Sequence, residues 1–147
     1  MIARYSLLVL LSLGSFHACA QFSISVGVAR DIDDVGTQVA TFAYLTRHRH
    51  PWEFTAGHLF ERNDSRYHTA STTFVAASRR LTWRRWFVSG GVALVDADNE
   101  VLSGPLQFYT GAGYAGKHWT LSLRHLSNAD IRGRNRGETF VLLGYGG

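Results

Sequence analysis

The sequence has 147 residues and contains one cysteine, one methionine and two prolines. The lone Cys19 excludes a disulfide within the chain, so stability must come from packing and backbone hydrogen bonds. Charged residues make up 18% of the chain. They form no basic cluster interleaved with stacking aromatic residues, which argues against nucleic-acid binding. Beyond residue 20, no apolar run is long enough to form a membrane-spanning helix.

The first twenty residues have the pattern of a secretory signal peptide. Arg4 precedes an apolar segment, and Ala18-Cys19-Ala20 matches the small-x-small site of signal peptidase. We therefore predict that residues 1–20 are a signal peptide and that residues 21–147 form one domain. Acylation of Cys19, as in a lipoprotein, is the alternative. Removal of Arg4 leaves 14 basic residues (15 less one) against 11 acidic ones, a mild basic excess that would suit an anionic lipid headgroup.

Apolar residues alternate with small or polar ones through the rest of the chain. This period of two is typical of strands with one apolar face. The predicted strands cover residues 22–29, 37–46, 52–60, 67–77, 83–95, 106–114, 118–127 and 138–145. Short turns, predicted at 47–51, 78–80 and 115–117, alternate with longer polar loops.

Eight strands of about ten residues, joined alternately by turns and loops, are typical of a small outer-membrane barrel. We predict an all-β fold, an eight-stranded antiparallel transmembrane β-barrel of the bacterial outer membrane. A soluble lipocalin-like barrel is the alternative, but it would need charged residues on the face where small residues dominate. The tryptophans support the membrane barrel because all of them adjoin the short turns, as in an interfacial aromatic belt: Trp52, Trp83, Trp86 and Trp119.

The seventh predicted strand ends in His125-Leu126-Ser127-Asn128. Residues two apart on a strand share a face, so His125 and Ser127 continue the apolar stripe of Trp119, Leu121 and Leu123. With a periplasmic N-terminus, this strand ends at the outer leaflet. Glu138 opens the next strand at the same level, and antiparallel neighbours bring opposing side chains within about 5 Å. We therefore expect His125, Ser127 and Glu138 to converge.

These residue types suit acyl-ester hydrolysis through an acyl-enzyme. Ser127 would be the nucleophile, His125 its base and Glu138 the carboxylate that orients the imidazole. Asn128 and the backbone amides of Ala129 and Asp130 would stabilise the oxyanion. Neither a metal nor a cofactor is required. The sequence predicts a carboxylic ester hydrolase acting on a membrane lipid.

The segment from His125 to Glu138 resembles the signature of the lipid A 3-O-deacylase family of outer-membrane enzymes. The likeness lies in His125-Leu-Ser-Asn-Ala129, Ile131, Asn135 and Gly137-Glu138. The resemblance implies a Ser–His–Glu mechanism that hydrolyses the ester-linked 3-hydroxyacyl chain at position 3 of lipid A. It also implies lipopolysaccharide as substrate, an active site that faces the outer leaflet, and a homodimer.

Two features of this segment depart from the family pattern. Asp130 stands where the family usually has glycine, which affects the turn that would form the oxyanion hole. Arg132, Arg134 and Arg136 replace a loop richer in lysine and proline. These arginines are expected to contact the phosphates of lipid A through paired hydrogen bonds.

Two other functions are compatible with the same sequence. One is a non-catalytic small outer-membrane barrel with a structural or adhesive role, and the other is a phospholipase-type lipid esterase. A metal site at His48 and His50 is disfavoured because no third ligand lies at a suitable spacing. In every case the predicted surroundings are membrane lipids.

Overall fold

A computed structural model describes residues 20–99, 101–133 and 137–147, all of them in strands or connecting segments. The predicted signal peptide lies almost entirely outside the described residues. The strands are β1 (Ala20–Asp31), β2 (Gly36–Thr46), β3 (Trp52–Leu59), β4 (Arg62–Asn63), β5 (His68–Thr69), β6 (Thr72–Trp83), β7 (Trp86–Val95), β8 (Leu106–Ala115), β9 (Trp119–Ser127) and β10 (Glu138–Gly146).

Eight of these strands close into an antiparallel barrel in the order β1-β10-β9-β8-β7-β6-β3-β2. The first and last strands pair with each other, from Ser23 opposite Gly146 to Asp31 opposite Glu138. Closure leaves no open strand edge, which is the condition for a sheet to span hydrocarbon. The predicted eight-stranded antiparallel barrel is confirmed. The short β4 and β5 form a separate hairpin above the barrel, which the sequence pattern did not predict.

Large apolar side chains cover the outside of the barrel. Ile24 is 64% exposed and Leu121 48% exposed, as expected for side chains that face lipid. The interior is polar towards the turn end, where Glu53 contacts both Arg80 and Arg124. This arrangement is the reverse of a lipocalin, which keeps its apolar residues inside. It follows from the solvent: hydrocarbon accepts an apolar surface, whereas charges must pair internally.

The interior is filled rather than open. Towards the loop end of the barrel, Phe74, Tyr109, Leu126 and Phe140 are each at most 1% exposed and belong to one packed cluster. Below it, Arg124 donates to Ser89 Oγ at 2.7 Å and to Glu53 Oε1 at 2.7 Å. The barrel is therefore a rigid support for its outer surface and loops.

The turn predicted at residues 78–80 is wrong. β6 continues through these residues to Trp83, and the chain turns at Arg84, whose φ is +56°, and Arg85. Ser78 and Arg80 point inwards, and Arg80 contacts the buried Glu53. Two adjacent arginines suggested an exposed turn. Arg80 can instead be buried because its partner, Glu53, lies 27 residues earlier in the chain.

The aromatic belt lies at the turn end of the barrel, as predicted. Trp52, Trp86 and Trp119 begin strands and Trp83 ends one, with exposures between 45% and 70%. Within the described ranges there is no helix long and apolar enough to cross a membrane.

Candidate active site

His125 and Ser127 lie together at the loop end of β9, on the outer face of the barrel. The interior face of this strand is marked by Ser122, Arg124 and Leu126, all buried, and the outer face by exposed leucines. Ser127 lies opposite Phe108 of β8, and His125 lies between Thr110 of β8 and Thr139 of β10. The base and the hydroxyl therefore share the lipid-facing surface, as the alternation predicts.

The imidazole of His125 is oriented by the neighbouring strand. Its Nδ1 atom lies 2.9 Å from the hydroxyl oxygen of Thr139, its cross-strand partner. Its other edge lies against Gly137: a Cβ added there would be 2.9 Å from Cε1 and 3.2 Å from Nε2. Gly137 has a φ of +69°, so both its backbone and the adjacent ring favour glycine.

Glu138 is not brought to His125. It pairs with Leu126 across β9 and points into the barrel, where it is 1% exposed. Its two carboxylate oxygens each accept a hydrogen bond of 2.7 Å from Arg62 Nη2. The expected convergence of His125 and Glu138 is therefore not found, because residues one apart on a strand face opposite sides.

Arg62 connects Glu138 to the first loop. Its Nη1 donates to the Val35 carbonyl at 3.1 Å and lies 3.5 Å from Asp31 Oδ2. The other oxygen of Asp31 accepts hydrogen bonds from the amides of Asp33 and Val35. Glu138 thus belongs to a buried ionic cluster that holds the hairpin of β4 and β5 on the loop between β1 and β2.

Asn128 organises the loop that follows Ser127. It is 4% exposed, and its Nδ2 donates to the carbonyls of Ser103 at 2.7 Å and Arg132 at 3.0 Å. Its Oδ1 accepts the amide hydrogen of Asp130 at 2.9 Å. These bonds direct the Asn128 side chain into the loop, so its support of the site is positional.

Two consecutive residues after Asn128 have left-handed backbone conformations. Ala129 has a φ of +53° and Asp130 a φ of +58°, values that favour glycine. The turn brings the Ala129 amide to 3.1 Å from Ser127 Oγ, to which it donates. A backbone donor therefore points at the hydroxyl oxygen of Ser127. At position 130 this backbone conformation would suit glycine, although the sequence has aspartate there.

An apolar groove of about 240 Å³ lies near the loop end of β9; Asn128 lines it, whereas Ser127 and His125 do not. Its walls include Phe108, the cross-strand neighbour of Ser127, and Arg132 lies at its loop end. The apolar lining is Val92, Pro105, Leu106, Phe108 and Ile131. Arg132 is exposed, whereas Arg134 and Arg136 lie outside the described residues.

Groups of three or more potential metal ligands are not found in the part of the chain that the structure describes. The two histidines in the turn between β2 and β3 have other contacts. His50 Nδ1 accepts the amide hydrogen of Thr82 at 3.0 Å, and His48 Nδ1 lies 3.3 Å from Arg79 Nη2.

The sequence pattern did not identify Thr139 as the residue that contacts His125. Strand β10 is apolar on both faces, with Phe140 and Leu142 inside and Val141 and Leu143 outside. The alternation in β10 therefore does not show which of Glu138 and Thr139 faces lipid. The register with β9 decides it.

Comparison with known proteins agrees with this architecture. The family model described as Lipid A 3-O-deacylase (PagL) matches residues 34–146. The crystal structure of the outer membrane enzyme PagL superposes with a TM-score of 0.55 at 17% identity, covering 86% of this chain and 97% of that one. For the Yersinia pestis outer membrane protein Ail, the TM-score is 0.49 at 13% identity, and the match covers 87% of this chain and 99% of that one. No curated protein sequence matches.

The family match covers most of the barrel, including the whole segment from β9 to β10. The structural likeness to PagL, at low identity, independently shows the outer-membrane barrel fold. The protein is therefore an outer-membrane barrel, and it belongs to the lipid A 3-O-deacylase (PagL) family.

Proposed function

We propose that this protein hydrolyses the ester-linked 3-hydroxyacyl chain at position 3 of lipid A, with Ser127 as nucleophile and His125 as base. The observation that carries the proposal is the placement of both side chains on the lipid-facing surface at the barrel rim. An ester in the membrane interface can approach this surface laterally, without entering the barrel.

The chemistry follows from the contacts of His125. With Nδ1–H donating to Thr139 Oγ1, the unprotonated Nε2 is left to take the proton of Ser127. Ser127 Oγ attacks the ester carbonyl, and the acyl C–O bond to the sugar then breaks as the protonated His125 gives its proton to the departing sugar oxygen. Water hydrolyses the acyl-enzyme by the same route in reverse, which releases the 3-hydroxy fatty acid.

The Ala129 amide is the proposed oxyanion donor. In the resting site it donates to Ser127 Oγ at 3.1 Å, so a small movement carries this hydrogen bond to the carbonyl oxygen as charge develops there. Asn128 and Asp130 hold the turn that presents this amide. Removing one such donor in other acyl-transfer enzymes costs about 10²–10³-fold in rate.

The groove near the loop end of β9 is the proposed site of the acyl chain. Its apolar lining is formed by Val92 of β7, by Leu106 and Phe108 of β8, and by loop residues. Arg132 at its loop end would meet a phosphate of the lipid A backbone as a bidentate donor. This arrangement requires the loop end to face the outer leaflet, where lipid A resides. The homodimer implied by the family resemblance stays a prediction.

The proposal is tested with Ser127→Ala. Lipid A from cells that express the wild-type protein should lose one 3-hydroxyacyl chain, and the variant should leave lipid A intact. Ser71→Ala, an exposed serine between β5 and β6, is the matched control and should behave as wild type. Full deacylation by Ser127→Ala would overturn the nucleophile assignment. Release of fatty acid from phospholipid instead of lipid A would indicate a phospholipase.

A second candidate function is a non-catalytic barrel. One observation favours it: the group in contact with His125 Nδ1 is the neutral hydroxyl of Thr139 rather than a carboxylate. A hydroxyl orients the imidazole but stabilises the imidazolium less than a carboxylate does. Unchanged lipid A after overexpression of the correctly folded wild-type protein would support this alternative.

A further inference from the structure

The turn end of the barrel carries a ring of exposed cations. The turn between β2 and β3 exposes Arg47 and Arg49, the turn between β6 and β7 exposes Arg84 and Arg85, and the turn between β8 and β9 exposes Lys117. Three turns that are distant in sequence thus contribute the same charge to one end of the molecule. Alternate connections of an antiparallel barrel lie at the same end, and closure arranges these three turns as a ring.

Acidic side chains are concentrated at the opposite end. Among residues 20–99, 101–133 and 137–147, the one acid near the turn end is Glu53, which is buried between Arg80 and Arg124. The other described acids lie on or beside the loops: Asp31, Asp33, Asp34, Glu61, Asp64, Asp96, Asp98, Asp130 and Glu138.

Apart from the exposed Arg132, the described surface arginines of the two ends differ in their partners. At the loop end, Arg30 pairs with Asp34, and Arg66 pairs with Asp64 at 2.9 Å. At the turn end, no described acidic side chain is exposed to neutralise the ring. These exposed charges are therefore available to an anionic partner from outside the chain.

The aromatic belt places the ring at the depth of lipid phosphates. Arg79 lies 5.4 Å from the centroid of the Trp52 ring, and Arg84 lies 5.8 Å from that of Trp83. Arg85 Nη1 lies 3.3 Å from the hydroxyl of Tyr114, whose ring stacks on Trp119 at 5.4 Å. Indole belts mark the boundary between hydrocarbon and headgroups. Guanidinium groups in contact with this belt and just beyond it are level with the phosphates.

We propose that the turn end is a binding surface for anionic phospholipid headgroups such as phosphatidylglycerol. Lys and Arg near an anionic bilayer surface are attracted to it, and the attraction is screened beyond about 10 Å at 0.1 M salt. This surface would anchor the turn end in a phospholipid leaflet and direct the acidic loop end to the other leaflet. Binding at the turn end does not depend on the chemistry at Ser127.

The tryptophans make a direct test possible, because every tryptophan of the chain lies at the turn end. The full-length protein is refolded into bilayers of phosphatidylcholine and phosphatidylglycerol, and in each sample one lipid carries dibrominated chains. Quenching of the indole fluorescence then reports which lipid contacts this end. Wild type should prefer phosphatidylglycerol at low salt, and 1 M salt should remove the preference.

The test variant is Arg47→Gln/Arg49→Gln, and the matched control is Arg30→Gln/Arg66→Gln, which removes two exposed arginines from the loop end. Each cation near the surface changes relative affinity by roughly fivefold. The test variant should therefore lower the preference by about tenfold or more, and the control should keep it. Equal quenching by both lipids in wild type, or an equal loss of preference in both variants, would overturn the proposal.

Discussion

The Nδ1 atom of His125 lies 2.9 Å from the Thr139 hydroxyl on the outside of the barrel. Glu138, one residue before Thr139, faces the inside and is held by Arg62. The Glu138 carboxylate, which was expected to orient His125, is adjacent in sequence to Thr139. It lies on the opposite side of the sheet from His125. The sequence pattern predicts that Glu138 orients the imidazole, whereas in the structure Thr139 contacts the imidazole and Glu138 pairs with Arg62 in the loop cluster.

Changing Thr139 to glutamate should increase deacylation. A carboxylate at this position would reach His125 Nδ1–H and stabilise the imidazolium formed when Ser127 is deprotonated. We expect the rate to rise by about tenfold or more, since carboxylate-to-neutral changes at such positions in other enzymes cost up to about 10⁴-fold. Thr139→Val, which removes the hydroxyl at similar volume, should lower the rate. Lipid A mass spectrometry over a time course measures both, and a Thr139→Glu variant no faster than Thr139→Val would contradict the prediction.

Glu138→Ala should act mainly on stability. It removes the carboxylate that Arg62 Nη2 contacts and leaves the buried guanidinium with the Val35 carbonyl and Asp31 at 3.5 Å. The loss should therefore be at or below the about 3–5 kcal/mol typical of breaking a buried pair. The urea midpoint for unfolding in detergent should fall accordingly. Residual activity per folded molecule should stay well above that of Ser127→Ala. If Glu138→Ala kept wild-type stability but lost all activity, the structural role would be wrong.

Gly137→Ala should lower activity through both backbone and side chain. The left-handed conformation costs a non-glycine residue about 1–2 kcal/mol, and the new Cβ would lie 2.9 Å from His125 Cε1. The imidazole must move, so the rate should fall even where the barrel folds. Gly90→Ala is the matched control, since a Cβ there meets nothing within 4 Å. Equal deacylation rates for the two variants would show that Gly137 does not position His125.

Filling the groove should affect long acyl chains selectively. Leu106→Trp places an indole in the apolar lining of the groove. Hydrolysis of lipid A should fall by at least an order of magnitude, while hydrolysis of a short soluble ester such as a butyrate should change little. Val88→Trp adds the same group to the lipid-facing surface of β7, away from the groove, and should leave both rates unchanged. A parallel loss on both esters in Leu106→Trp would place the acyl chain elsewhere.

The sequence by itself determined the fold class, the number of barrel strands and the shared face of His125 and Ser127. Period-two alternation is local, and in β9 the inward Ser122 and Arg124 make it unambiguous. The placement of the tryptophans at the turn end follows from the same local pattern.

Only the tertiary structure decided which residues of other strands each segment contacts. The predicted turn at 78–80 is strand because Arg80 has a buried partner in Glu53 of another strand. The faces of Glu138 and Thr139 depend on the register of β10 against β9, since β10 is apolar on both sides. Antiparallel connectivity brings the three cationic turns to one end, and closure arranges them as a ring. Charge pairing, register and closure join residues far apart in sequence, so they are properties of the closed barrel and not of any single strand.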